Sequence, residues 1–403
     1  MEFKRDIYEQ LVKDSDSKKL TIIFGARQTG KTFLLKKLHN KFKRTTLFNL
    51  EEPDDISLFN ITDSELLKLL RGSGSIVLID EFHYIKNASH IFKAIYDSGG
   101  KPKIYATGSS SIEMHKHLKE SMAGRFKAYY LKPLSIREFH TNALNLTLDD
   151  FLIYGALPGT YDLEENLTKK DKQQYLKQIL STYIQKDIKA LIKEENISAF
   201  NNLLFILAEN QGQILPTSNI SRELGLSINT VNKYISLLEQ TFVLYCLNSF
   251  SNNLSNELKK SKKYYFYDFG IRNALMKNFS PIKTRNDKGK IWETFVYHYL
   301  LSIQDTTDTD IYFWRTSNDV EIDFIWVKNQ IPIPIEVKSK IGTKTVPSSM
   351  QSFIRAYTNA PFAIIVNENI QDESYYNGKI VYFIKFDEIE FLKDLLVERS
   401  VDL

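Results

Sequence analysis

The chain has 403 residues, more than one ordinary hydrophobic core organises, so several domains are expected. Hydrophobic residues make up 43% and charged residues 25%, a mixture that excludes a disordered chain and supplies ample apolar surface for burial. A net charge of +4 permits nucleic-acid contact without imposing it, so local clusters must decide.

The opening Met1 to Asp6 carries none of the apolar character of a secretory leader. No window approaches the run of about 18 apolar residues that spans a bilayer, so a cytoplasmic protein with no membrane partner is expected. Cys246 is the single cysteine and sits in the apolar run from Phe242 to Leu247, where it reads as core filler in a reducing compartment.

Residues 1–160 alternate β-rich runs with helical periodicity. Leu20 to Phe24, Thr45 to Asn49, Ser75 to Ile79 and Lys103 to Thr107 read as strands, with helices over Lys31 to Lys43 and Ser64 to Arg71. That order predicts an α/β domain with a parallel sheet covered on both faces. Residues 161–280 open with a helical stretch, Lys170 to Lys193. Ser218 to Leu224, a turn at Gly225 and Ile228 to Leu238 then form a helix-turn-helix with Ser227 as N-cap. With Phe242 to Phe250 and Tyr264 to Phe269 as paired strands, this reads as a winged-helix domain. Residues 281–403 hold a helix near Ile291 to Ile303 and strands at Ile311 to Arg315, Glu321 to Val327, Ile335 to Lys338 and Ala363 to Val366, a second α/β domain.

Between the first strand and the first helix stands Gly25-Ala26-Arg27-Gln28-Thr29-Gly30-Lys31-Thr32, the G-x-x-x-x-G-K-[ST] phosphate loop in its required context. Its glycines let consecutive N–H groups aim at phosphate oxygens, and the helix offers its positive end to the same charge. Lys31 would reach the β and γ phosphates of ATP, and Thr32 would bind Mg²⁺ through its hydroxyl. The apolar run Ser75 to Ile79 ends in Asp80-Glu81. Asp80 would hold the metal, and Glu81 would orient the attacking water, so hydrolysis is favoured.

Lys103 to Thr107 leads into Gly108-Ser109-Ser110-Ser111. Thr107 or Ser109 could sense the γ phosphate there, or the serines could simply cap the next helix. Arg125 could serve as an arginine finger in its own or a neighbouring subunit, which would imply a homo-oligomer, or be a surface arginine.

The chain resembles the AAA-like P-loop ATPases of bacteria and archaea that end in the domain of unknown function DUF4143, a relative of PD-(D/E)XK nucleases. The resemblance is carried by Gly25 to Thr32, Phe48 to Glu51, Leu78 to Glu81, Thr107 to Ser111, Ala123 to Arg125, Pro133 to Ser135, Gly155 to Pro158 and Glu336-Val337-Lys338. It implies an AAA-type ATPase core, a winged-helix module and a restriction-endonuclease-like α/β end. It also implies that Arg125 is the family's Gly-Arg arginine and that Gly155 to Pro158 is a Gly-x-x-Pro element that follows the core.

Strand alternation puts Glu336 and Lys338 on one face, and Glu321 and Asp323 on another. If the two strands are neighbours, Asp323 and Glu336 would share a second divalent ion, Lys338 would position a water and Glu293 would add an outer carboxylate. The constellation is similar to the metal site of the PD-(D/E)XK nucleases. A retained fold without activity would read the same way, and Pro332 and Pro334 suggest an edge strand or a late strand start. For DNA, the second helix of the winged-helix unit would present Asn229, Thr230, Asn232 and Lys233, and a basic wing would carry Lys259, Lys260, Lys262 and Lys263. A packing module with solvated lysines is the alternative. The sequence thus predicts an ATPase acting on DNA. The rival readings are a nucleotide-switched interaction protein with an inactive nuclease-like fold and an ATP-responsive transcriptional regulator.

Overall fold

The computed structural model describes residues 3–108, 121–142, 146–161, 167–183, 197–250, 262–305 and 307–398. Ser109, Lys259 and Lys260 lie outside them. The chain divides into two compact units, one built of 1–146, 155–186 and 233–244, the other of 147–154, 187–232 and 245–403.

The first unit is built on five parallel strands, β1 (Leu20–Gly25), β2 (Thr45–Asn49), β3 (Ile76–Asp80), β4 (Lys103–Gly108) and β5 (Phe126–Leu131), in the order β2-β3-β4-β1-β5. β1, β3 and β4 are buried along their whole length, which is why they read as continuous runs and not as alternating ones. Period-two geometry still sorts their side chains. Ile23, Leu78 and Tyr105 pack with Leu34, Leu35 and Leu38 of the helix Lys31–Lys41. Ile22, Phe24, Val77, Ile79 and Ile104 pack on the other face with Leu66 and Leu70 of the helix Asp63–Gly72 and Ile91, Phe92 and Ile95 of the helix Ala88–Asp97. Each such fully buried side chain contributes about 1.5 to 3 kcal/mol relative to exposure. Thr62 and Glu65 close a capping box on the helix Asp63–Gly72, satisfying two backbone donors at its start.

The helices Ile197–Glu209 and Thr217–Leu224 belong to the second unit, the helix Ile228–Gln240 passes into the first at Lys233, and a small sheet joins β6 (Ile214–Leu215), β7 (Leu244–Leu247) and β8 (Lys262–Phe266), ordered β6-β8-β7. The turn between the last two helices uses Gly225 at φ +65°, a left-handed conformation that glycine adopts without strain. Ser227 Oγ accepts the N–H of Thr230 at 3.1 Å, the N-cap expected.

The second unit also holds the helix Lys288–Ile303 and a six-stranded sheet of β9 (Thr309–Arg315), β10 (Glu321–Lys328), β11 (Ile331–Lys338), β12 (Phe362–Asn367), β13 (Asp372–Tyr376) and β14 (Lys379–Lys385), ordered β13-β14-β12-β11-β10-β9. Contrary to expectation, the strand with Pro332 and Pro334 starts early, at Ile331, and lies inside the sheet. The prolines face Val327 and Ile325 of β10, and β12 pairs only from Ile335 onward. Their missing N–H groups therefore leave no second ladder incomplete. Among the described residues no helix is long and apolar enough to cross a membrane.

Candidate functional site

All five strands of the first sheet run the same way, so β1, β3 and β4 end on one edge, the carboxyl edge where open α/β sheets receive ligands. β4 stands between the strand that feeds the phosphate loop and the strand that ends in Asp80.

The loop leaves β1 at Gly25, where a Cβ would lie 2.4 Å from the carbonyl oxygen of Leu131 on β5. No side chain fits there. Gln28 and Gly30 take positive φ values, 64° and 96°, which curl the backbone into a cradle. Lys31 is buried, and its ammonium donates to the carbonyl oxygens of Gly25 at 2.9 Å and Ala26 at 3.0 Å. Thr29 Oγ1 donates to Ala26 O at 2.8 Å. Arg27 is half-buried, Gln28 is exposed and accepts from Tyr175 Oη at 3.2 Å, and Thr32 is exposed on the first turn of the helix.

Opposite the loop, Asp80 is 2% exposed and Thr107 Oγ1 donates to its carboxylate. The Glu81 N–H donates to the same Thr107 hydroxyl at 3.2 Å. Thr107 therefore ties the end of β4 to the acidic end of β3. Glu81 sits at φ 53°, with its Oε2 3.1 Å from His83 Nδ1. The Gly-Lys-Thr loop, a buried ammonium and an Asp-Glu pair at one sheet edge fit a nucleoside triphosphate and its Mg²⁺.

Sequence reasoning missed Arg5. Its buried guanidinium donates to Thr29 O and Lys132 O, both at 2.6 Å, and pairs with Glu138 at 3.1 Å. Glu138 in turn accepts from the N–H groups of Asp6 at 2.8 Å and Ser135 at 2.9 Å. Leu134 N–H donates to Ala156 O at 2.9 Å, which brings the Pro133-Leu134-Ser135 and Gly155-to-Pro158 motifs together. A lone arginine far upstream carries no spacing signal that would have exposed this.

Arg125 stands apart. It precedes β5, and its carbonyl accepts from Leu20 N–H at 3.0 Å, at the end of the sheet where β1 begins. Five residue steps at about 3.3 Å put that edge roughly 16 Å from Gly25. There Arg125 pairs with Asp97 at 3.1 Å and lies over the Tyr96 ring.

In the second unit, β10 and β11 are antiparallel neighbours, as the acidic pairing requires. A register shift between Ile322 and Ile325 against β9 brackets Asp323, and such bulges re-aim side chains. Asp323 Oδ2 accepts from Val337 N–H at 2.8 Å, and Glu336 pairs with Lys338 at 2.7 Å. The cation at the centre is Lys263. Its side chain is 1% exposed, and its ammonium lies 2.9 Å from Glu293, 2.6 Å from Glu321 and 3.7 Å from Asp323.

This corrects one expectation. Lys263 is not part of a basic wing, because β8 begins at Lys262 and alternation sends Lys263 inward while Lys262 stays half-buried. Asp323, Glu336 and Glu293 are brought together, with the Lys263 and Lys338 ammonium groups among them and Glu321 beside them. Among the described residues no group of three or more His, Cys, Asp or Glu side chains could hold a metal ion. Burial, with the Asp323 charge adding to it, pushes Glu336 up to about 8. Burial likewise pushes Glu293 up to about 7. Burial alone would depress Lys263, but Glu293, Asp323 and Glu321 hold it well above the usual lysine range. On the helix Ile228–Gln240, Asn229, Asn232 and Lys233 are exposed, while the Thr230 hydroxyl is 2.8 Å from Ser227 Oγ, within its cap.

The parallel sheet, the loop and the acidic strand end are those of a P-loop fold. Residues 17–140 match the family described as an AAA domain. Residues 145–282 and 288–388 match two domains of unknown function, DUF8612 and DUF4143. An uncharacterized protein of Mycobacterium tuberculosis is 25% identical over 365 residues, covering 90% of this chain and 79% of the relative. One of Methanocaldococcus jannaschii is 26% identical over 345 residues, covering 80% and 74%. Among solved structures, the Walker-type ATPase of Pyrococcus abyssi aligns over 68% of this chain and 96% of its own, with 18% identity and a TM-score of 0.49.

Proposed function

We propose that the chain binds and hydrolyses ATP through Gly25 to Thr32 and Asp80-Glu81. The observation that carries this is the convergence of the buried Lys31 ammonium, the Asp80 carboxylate and Glu81 on the carboxyl edge of one parallel sheet. Thr32 and Asp80 would hold Mg²⁺, which neutralises phosphate charge when bound. Lys31 holds the phosphates, Thr107 fixes the Asp80 carboxylate, and Glu81 orients the water and takes its proton. Ser109 remains a candidate phosphate sensor. Phosphate release by the wild-type chain, lost in Lys31→Ala and Glu81→Gln, tests the assignment. Equal turnover in all three would refute it.

The sequence divisions 1–160, 161–280 and 281–403 serve as three modules in this reading, supported by matches over 17–140, 145–282 and 288–388. The middle one acts as a winged helix on DNA, supported by the exposed Asn229, Asn232 and Lys233. Salt-dependent duplex binding, weakened by Lys233→Ala, checks this. Within the alternatives, the pairing of Lys263 with Glu293 and Glu321 favours a nucleotide-switched protein whose nuclease-like end is inert.

A further inference from the structure

The carboxylates Glu293, Glu321, Asp323 and Glu336 come from the helix Lys288–Ile303, from β10 and from β11. Such a cluster demands positive charge, since four ionised carboxylates cannot be buried side by side. The question is what supplies it. A divalent ion would need oxygen ligands at about 2.0 to 2.6 Å. The position 2.9 Å from Glu293 and 2.6 Å from Glu321 is instead taken by the ammonium of a side chain that is 1% exposed.

We propose that Lys263 is the resident cation of Glu293, Glu321 and Asp323, its ammonium standing where an ion shared by those three carboxylates would sit, so that this position is closed to Mg²⁺ and Mn²⁺. This goes beyond the ATPase reading and is independent of it. An ammonium has three donors and no acceptor. Two of them reach Glu293 and Glu321, and Asp323 lies at 3.7 Å. Neighbouring groups are hydrogen-bonded as well. Asp323 Oδ2 holds Val337 N–H, Tyr265 Oη donates to Glu293 at 2.6 Å, and Lys338 is bonded to Glu336. Lys263 lies on β8, so it also ties the small sheet to the large one by charge. The strand pattern of a metal site is kept, and its chemistry is displaced by one side chain.

The test is Mn²⁺ binding to the full chain without nucleotide, followed by the electron paramagnetic resonance of free Mn²⁺. The wild type and Asp323→Asn should bind alike, because any ion at Asp80 is common to both. Lys263→Met should gain one Mn²⁺ per chain, and Lys263→Met/Asp323→Asn should lose it again. Wild-type binding that Asp323→Asn removes would overturn the proposal. So would a Lys263→Met chain with native circular dichroism and no added site. Should Lys263→Met fail to fold, the comparison of wild type with Asp323→Asn still decides.

Discussion

Lys31, buried against the carbonyls of its own loop, is the residue on which phosphate binding depends most. In Lys31→Ala turnover should fall at least about 100-fold, since one donor at a developing charge carries that much. Glu81→Gln should separate two functions, leaving nucleotide affinity near wild type while phosphate release drops by about 100-fold or more. Glu336 makes a prediction about pH. Its folded-state value of about 8 lies above the ordinary 4.5, so the folded chain holds a proton that the unfolded chain releases. The stability this contributes is complete below about pH 4.5 and is lost as pH rises to about 8. Urea denaturation across that window should show stability falling with pH, and Glu336→Gln should flatten the slope.

Among the elements, the N-terminal segment is the least expected participant. Arg5 joins the phosphate loop to the stretch from Lys132 to Glu138, so Arg5→Ala leaves a buried carboxylate and two carbonyls short of donors. Removing one partner of a buried pair costs about 3 kcal/mol, and a looser Thr29 should weaken ATP as well. Thermal denaturation and nucleotide titration of Arg5→Ala measure both, and stability loss with unchanged affinity would show that the clamp is structural only. Four strands of the first sheet were legible, β1, β3 and β4 because they are buried runs that end in motif residues, whereas β5, exposed along much of its length, was not anticipated. β11 was harder to read, since a proline pair signals an edge wherever the neighbouring strand is unknown, and the neighbour β12 comes from 24 or more residues later.

At the scale of the whole molecule, the position of Arg125 limits how it can act. It lies at the edge of the sheet opposite its own phosphate loop, so a finger role requires a neighbouring copy. Mixing Arg125→Ala with Lys31→Ala should then restore turnover, because the second chain lends its arginine to the intact loop of the first. Mixtures no more active than Arg125→Ala alone would leave Arg125 as the partner of Asp97.

The phosphate loop, the Asp-Glu strand end and the two α/β regions follow from sequence by itself, because each depends on residues adjacent in the chain or on periodicity within one element. Tertiary structure alone decided which cation meets which carboxylate. Lys263 and Lys262 are identical in type and neighbours in sequence, and only strand alternation with packing sends one into the acid cluster. Charge pairing between distant elements leaves no local pattern, and the role of the carboxyl-terminal carboxylates turns on it.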